Sequence, residues 1–310
     1  MKNAIDRLII RIKEMNNPTV IGIDPKYDMV PNCIKTKYDE TLEEMAKACT
    51  EFNKALIDAT YDIIPAVKLQ LAYFEKLGIA GMQSFKETCE YAKEKGMIIM
   101  TDAKRGDIGS TCSAYSAPYI GRVDVGGNKQ PVYDTDFITL NPYMGTDSVS
   151  PFLEDCKEYG KGAFIIVKTS NKSSGELQDL KLENGRTIYE EVAMLVEKWG
   201  EDLRGEYGYS SISAVVGATY PKQLQELRKL APHTFFLIPG YGAQGGKAED
   251  IALGFDENGI GGIVNATRSL MGAYKSERWS KEYSEEQFAE ATRAEAIRMR
   301  DELNAAISHI

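Results

Sequence analysis

The 310-residue sequence predicts a (β/α)8 barrel, because short apolar runs alternate with amphipathic helical segments along most of the chain. Eight of these runs are rich in β-branched residues, and most are too continuously apolar to be half-exposed antiparallel strands. Eight strand–helix alternations over about 250 residues, with an N-terminal helix and long polar loops added, fit a single barrel domain spanning residues 1–310. A doubly wound open sheet is the alternative architecture.

The candidate strands are identified by apolar residues that continue without a polar alternation, as is typical of parallel strands buried on both faces. They are residues 19–24, 66–70, 97–104, 137–141, 163–170, 212–219, 235–240 and 260–267. We number them 1 to 8 in chain order.

The candidate helices place apolar residues three and four positions apart. Residues 1–18 interleave acids and bases with Leu and Ile, which predicts an amphipathic helix rather than a signal peptide. Segment 84–96 ends with lysines and a glycine, and Pro221 stands at the expected first turn of another helix. The remaining segments are 39–59, 187–203 and 284–306, the last with a Ser and a Glu in capping-box spacing.

Two connecting segments are unusually long and polar. Residues 121–136 precede strand 4, and residues 171–186 follow strand 5. Because the second segment leaves the C-terminal end of a strand, it fits either a mobile lid or a plain surface insertion.

The composition excludes several classes of function. There is no stretch of about 18 apolar residues that would predict a membrane helix, and the net charge of −9 argues against a nucleic-acid surface. The five cysteines are scattered and lack a C-x-x-C pair, which predicts reduced thiols in a cytoplasm rather than disulfides or a zinc site. An anionic ligand would have to be held by local groups acting against the overall field.

Polar residues gather where the predicted strands end, and barrel enzymes perform their chemistry at the C-terminal ends of the strands. Asp102 and Lys104 are two positions apart, so they point to the same side of strand 3. A buried ion pair that braces the rim would explain any one such residue, but the convergence of the whole set predicts an active site. The set comprises Asp24, Lys68, Asp102, Lys104, Asn141, Thr169, Ser170, Gln244 and Arg268.

Histidine chemistry is not expected at this end of the barrel. His233 precedes strand 7, on the opposite face, and His309 is the penultimate residue. The sequence has no G-x-S-x-G motif and no cysteine at a strand end, so lysines and carboxylates are the groups left to handle protons.

Gly240, Gly242 and Gly245 form a G-x-G-x-x-G pattern after strand 7. A dinucleotide site would need a βαβαβ unit after this pattern, and only one strand follows. A backbone cradle for phosphate fits better, since barrels often bind phosphate after strands 7 and 8. Arg268 would add a bidentate contact to the same phosphate, although a surface arginine near a helix start is the alternative.

The segment DAKRGDIGST at 102–111 resembles the D-x-K-x-x-D-I signature of the orotidine 5′-phosphate decarboxylase family. Further motifs follow in family order: GIDP at 22–25, VKLQ at 67–70, LNPYMG at 140–145, TSN at 169–171, IPGYGAQGG at 238–246 and NATR at 265–268. The length, the spelling of the signature and the loop after strand 5 resemble the larger bacterial branch of the family.

The resemblance implies a role for each matching residue. Lys68, Asp102, Lys104 and Asp107 match the family's charged array, and Asp107 and Thr111 match positions that reach the neighbouring subunit's site in a homodimer. The matching substrate contacts are Asp24 at the ribose, Gln244 at the phosphate and pyrimidine, Arg268 at the phosphate, Asn141 at the pyrimidine amide, and Ile108, Pro239 and Gly245. Arg105 lies outside the shared signature, and its role is left open.

The implied reaction is decarboxylation of orotidine 5′-phosphate to UMP, the last step of de novo pyrimidine biosynthesis, with no cofactor and no metal. Loss of CO2 leaves a carbanion at C6 that no π-system accepts, and a protonated Lys104 would stabilise and then protonate it. Two alternatives are a magnesium-dependent sugar-phosphate decarboxylase or aldolase of the same superfamily, which shares D-x-K-x-x-D, and a non-catalytic nucleotide-binding barrel.

Overall fold

Eight parallel strands close into a barrel in which each strand pairs with the next along the chain and the first pairs with the last. The computed structural model describes residues 2–241 and 246–309. The barrel strands are β1 Thr19–Ile23, β2 Ala66–Gln70, β3 Ile98–Arg105, β4 Phe137–Leu140, β5 Gly162–Lys168, β6 Ser210–Val216, β7 Thr234–Pro239 and β8 Gly262–Ala266. The predicted barrel is confirmed, and the open sheet is wrong because Thr19 of β1 is in register with Val264 of β8.

Helices follow the strands around the outside of the barrel. The α-helices of the described residues are α1 Ala4–Met15, α2 Asn32–Lys35, α3 Leu42–Thr60, α4 Leu71–Glu75, α5 Gly78–Glu94, α6 Gly109–Ser116, α7 Thr146–Tyr159, α8 Ile188–Trp199, α9 Pro221–Leu230, α10 Ala248–Ala252, α11 Arg268–Met271 and α12 Phe288–Ile307. Every helical segment predicted from the sequence overlaps one of these helices, although α5 begins six residues before the predicted segment 84–96. A capping box is present at Ser284, but its partner is Gln287 rather than the expected glutamate. It caps a short 3-10 turn, Glu285–Gln287, that leads into α12.

The N-terminal helix α1 closes the N-terminal end of the barrel. Ile5, Leu8 and Ile9 are fully buried there. They belong to one apolar cluster with side chains of the barrel strands, including Phe164 and Phe235. Asn3 caps the helix by accepting a hydrogen bond from the Asp6 N–H. This apolar plug leaves the C-terminal ends of the strands as the accessible end of the barrel.

The two long polar segments differ from each other in structure. Residues 121–136 contain an antiparallel hairpin of Val123–Val125 and Asn128–Gln130, with both turn glycines at positive φ. This hairpin was not predicted from the sequence, because all three residues of each strand are exposed and form no hydrophobic pattern. It is joined to the end of α7 by a 2.9 Å ion pair between Lys129 and Glu158.

Residues 171–186 are tied to the end of β5. Lys168, 1% exposed, forms a 2.5 Å ion pair with Asp179, and its ammonium lies over the rings of Tyr189 and Tyr220. Gln178 accepts a hydrogen bond from the Thr169 N–H at 3.0 Å. Within residues 2–241 and 246–309, no helix is both long and apolar enough to cross a membrane.

Candidate active site

A cavity of about 490 Å³ opens at the C-terminal end of the barrel. The strand register explains which side chains meet there, since Gln70 at the end of β2 lies beside Asp102 of β3. Six of the predicted site residues line the cavity: Asp24, Lys68, Asp102, Lys104, Pro239 and Arg268. Thr169 and Ser170, named from the sequence as the polar end of strand 5, line it as well.

The carboxylate of Asp102 lies at the centre of the charged groups and accepts four hydrogen bonds. Oδ2 accepts from Lys68 Nζ at 2.7 Å and from Gln70 Nε2 at 3.0 Å. Oδ1 accepts from Lys104 Nζ at 2.5 Å and from the Thr139 hydroxyl at 2.9 Å. The carboxylate is thereby fixed in position by neighbours on three strands.

The electrostatics of this cluster favour charged side chains. Burial would raise the pKa of Asp102, but the charges of Lys68 and Lys104 and their hydrogen bonds outweigh it, so the pKa lies well below the ordinary aspartate value. Burial would likewise lower the pKa of Lys68, but the negative charges of Asp102 and Asp24 raise it above the ordinary lysine value. A carboxylate and an ammonium therefore face each other at neutral pH.

Lys104 stands at an irregular end of β3. Its φ of +49° lies in the left-handed region, and the register between β3 and β4 shifts between Thr101 and Arg105. Its N–H donates to the Thr139 hydroxyl at 2.9 Å. Its side chain is 46% exposed, so the ammonium lies in the open part of the cavity while still paired with Asp102. A left-handed backbone at a residue with a side chain is a strained conformation of the kind that gathers at functional sites.

Asp24 follows β1 and faces the same cavity. Its Oδ1 atom is buried and has no hydrogen-bond partner within the part of the chain that the structure describes. Burial raises the pKa of this carboxyl, with the positive charge of Lys68 opposing the rise. A ligand hydroxyl at this position would supply the missing donor, since an unpaired buried acceptor is costly.

Several cavity residues were not predicted from the sequence. Gln70 and Thr139 complete the hydrogen bonds of Asp102, and Lys26, Tyr73 and Thr267 form part of the wall. Gln70 ends the quoted VKLQ motif, which is a signal that could have been used. Thr139 lies inside an apolar strand and carries no such signal.

Four predicted residues lie outside the cavity wall. Asp107, Ile108 and Thr111 belong to the segment that leads from β3 into α6, and the Ile108 side chain is 56% exposed. Asn141 is exposed, and its Oδ1 accepts a hydrogen bond from the Tyr143 N–H at 3.1 Å. Their predicted roles stay predictions.

The expected phosphate site is only partly described. Gln244 and Gly245, like Gly242, lie outside the described residues. Before that gap, Pro239 and Gly240 border a smaller cavity of about 60 Å³ that Arg268, the first residue of α11, also lines. His233 lies before β7, where Gly208 O is 2.9 Å from its Nδ1, away from the charged cluster as predicted.

Comparison with known proteins agrees with this geometry. A model of the family described as orotidine 5′-phosphate decarboxylase / HUMPS matches residues 22–283. A Clostridium tetani protein named orotidine 5′-phosphate decarboxylase is 43% identical over 304 residues, which cover 98% of this chain and 99% of that protein. A Rhodopirellula baltica protein of the same name is 42% identical over 304 residues, with the same two coverages.

A solved structure gives the same result for the fold. The crystal structure of a putative orotidine-monophosphate-decarboxylase from Toxoplasma gondii is 28% identical, with a TM-score of 0.77 over 99% of this chain and 98% of that chain. The family resemblance read from the motifs is thus confirmed over nearly the whole length. With its barrel, its motifs and its relatives in agreement, the chain belongs to the orotidine 5′-phosphate decarboxylase / HUMPS family.

Proposed function

We propose that this chain decarboxylates orotidine 5′-phosphate to UMP in pyrimidine biosynthesis, with Lys104 as the group that stabilises and protonates C6. Relatives of that name, 42% and 43% identical over nearly the full length, support the reaction. The observation that carries the mechanism is the Asp102 carboxylate held between the ammonium groups of Lys68 and Lys104 at the cavity.

The reaction is difficult because the electron pair of the broken bond cannot be delocalised into a π-system. When the bond from C6 to the carboxyl carbon breaks, CO2 leaves and the electron pair stays on C6, in the plane of the ring. The Lys104 ammonium places a positive charge where this negative charge develops. Its proton then forms the new C6–H bond, and the neutral amine regains a proton from water, which its 46% exposed side chain allows.

Asp102 contributes a fixed negative charge beside the departing carboxylate. Because its pKa is lowered by the two lysines, it remains ionised while substrate is bound. The side-chain charges alternate in sign from Lys68 through Asp102 to Lys104. The three groups together have a small net charge, but the electric field between them is steep. A field that is set before the reaction costs no reorganisation during it.

Groups remote from C6 would supply binding energy. Arg268 and the Pro239–Tyr241 turn border the cavities expected to hold the phosphate. The unpartnered Oδ1 of Asp24 supports its expected contact with a ribose hydroxyl. Binding energy from these parts of the nucleotide can orient the base and lower the barrier at C6.

A homodimer with the barrel mouths face to face is the second part of the proposal. Asp107 and Thr111 lie outside their own cavity wall, as expected of residues that complete a neighbour's site. Large apolar side chains are exposed in the segments that follow β3 and β4, namely Ile108 at 56%, Tyr143 at 80% and Met144 at 46%. Exposed apolar groups gathered on one face are typical of an interface. We further propose a reducing, cytoplasmic location, which the five unpaired cysteines support.

Subunit mixing tests the dimer directly. Lys104→Ala and Asp107→Ala are each expected to be inactive alone. If Asp107 serves the partner's site, a hybrid dimer has one intact site, and an equal mixture recovers about a quarter of the wild-type activity. No recovery after exchange of subunits would contradict the shared site.

The reaction itself is tested by following loss of orotidylate and formation of UMP with and without EDTA. Turnover that EDTA leaves unchanged is expected. Activity that disappears with the chelator and returns with magnesium would favour the sugar-phosphate class, and tight UMP binding without turnover would favour a non-catalytic barrel.

A further inference from the structure

The backbone at Lys104 is held in an unusual conformation. Its φ of +49° places it in the left-handed region, just where β3 shifts register against β4. Such a conformation persists only when the surroundings hold it. On the β4 side, the Thr139 hydroxyl accepts from the Lys104 N–H at 2.9 Å, and Arg105 O accepts from the Asn141 N–H at 2.8 Å.

The other side of this backbone is held by the Arg105 side chain, which does not line the cavity. Its guanidinium forms an ion pair with Glu75, and NH1 reaches the carbonyl oxygen of Ala103 at 3.5 Å. It also lies 5.5 Å from the centre of the Tyr115 ring and is only 24% exposed. Arg105 therefore contacts the residue that precedes Lys104 while its own backbone follows Lys104.

Glu75 links this arrangement to the neighbouring strand. It is the last residue of α4, which begins directly after Gln70 at the end of β2. Gln70 in turn donates to Asp102 Oδ2. The Arg105–Glu75 pair thus connects the strand end that carries Lys104 to the strand end that orients the partner carboxylate of Lys104.

We infer that Arg105, paired with Glu75, is a positioning residue for Lys104 and fixes the backbone from which the catalytic ammonium is presented. The inference rests on the role of Lys104 in the proposed function. A small displacement of a reacting group costs far more in turnover than in binding, because the transition state tolerates less misplacement. An ordinary surface ion pair would leave turnover unaffected.

The test compares Arg105→Met, Arg105→Lys and Glu75→Gln with wild type. Arg105→Met is expected to lower kcat at least tenfold, with less than a threefold change in KM and in the Kd of UMP. Arg105→Lys should have a kcat between those of Arg105→Met and wild type. Adding Glu75→Gln to Arg105→Met should lower kcat little further, because the ion pair is already lost. The matched control is Arg293→Met, which removes the ion pair between Arg293 of α12 and Asp62 in the turn after α3 and should keep wild-type kcat.

Two results would overturn the inference. One is a kcat within twofold of wild type in Arg105→Met or, if that variant does not fold, in Glu75→Gln. The other is an equal loss of turnover and UMP binding, which would indicate general bracing of the pocket. Lys104→Ala, measured in parallel, separates the inference from the proposed function: turnover retained in Lys104→Ala refutes the role of Lys104 itself.

Discussion

The Nζ atom of Lys104 lies 2.5 Å from Oδ1 of Asp102, which is two positions earlier on the same strand. Side chains two positions apart point to the same side of a strand, so this contact agrees with the direction predicted from the sequence. The left-handed φ of Lys104 is a local departure from the regular strand backbone. The pair places a half-exposed ammonium beside a buried carboxylate. An ammonium that reaches the open cavity, paired with a carboxylate held by four hydrogen bonds, suits proton delivery to a substrate carbon.

Lys104→Ala is expected to reduce turnover by about a thousandfold or more, since it removes both the stabilising charge and the proton donor. Its folding should remain intact because the side chain is 46% exposed. Steady-state assays and thermal unfolding check the two parts, with Lys172→Ala, an exposed lysine in the loop after β5, as the control. Decarboxylation that survives would mean that another group donates the proton.

Arg268→Ala is expected to lower kcat/KM by about a hundredfold or more, because a charge-assisted contact with the substrate phosphate would be lost. The loss should shrink for a substrate that lacks the phosphate, such as orotidine. Kinetics with both substrates measure this difference. A change below about threefold with orotidine 5′-phosphate would refute the assignment.

Asp24→Asn should separate stability from binding. The buried Asp24 carboxylate has a raised pKa, so its ionised form at neutral pH disfavours the folded state. Removing the charge is expected to increase the free energy of unfolding while weakening UMP binding, because the contact with the ligand hydroxyl loses its charge. Urea unfolding and calorimetric titration with UMP check both. A variant that is less stable and binds UMP normally would contradict the ribose contact.

The lowered pKa of Asp102 predicts a specific pH dependence of stability. A depressed carboxyl pKa stabilises the fold above the ordinary value of 3.8, and this contribution is lost as the pH falls through the folded-state pKa. Wild type should therefore be more stable than Asp102→Asn at about pH 7, and the difference should diminish below the ordinary value. Urea unfolding of both proteins across this range tests it. A difference in the free energy of unfolding that does not change with pH would show that the charge of Asp102 is not its cause.

Much of the barrel could be predicted because parallel strands buried on both faces produce continuous apolar runs. Each of the eight predicted runs overlaps one barrel strand, with boundaries that differ by up to three residues. The hairpin of Val123–Val125 and Asn128–Gln130 was missed because its short strands bury nothing and so leave no hydrophobic pattern.

The charged cavity was partly predictable for a related reason. Asp24, Lys68, Asp102 and Lys104 are costly residues at the ends of apolar strands, so the sequence itself marks them. The positive φ of Lys104 was not predictable, since it depends on the register of β3 against β4. The position of Asn141 was not predictable either, since β4 ends at Leu140 and the Asn141 side chain accepts from the Tyr143 N–H. Its contact with the pyrimidine amide stays a prediction.

The apolar plug formed by α1 has an electrostatic consequence for the charges above it. Ile5, Leu8 and Ile9 fill the N-terminal end of the barrel with apolar side chains. The charged groups of Lys68, Asp102 and Lys104 therefore have a medium of low polarisability on that side. Water can screen them only from the open side, where a bound nucleotide would displace it. A bound substrate would replace this water and lower the local dielectric constant. The electrostatic interaction of the charged groups with C6 would then be strongest while the substrate is bound.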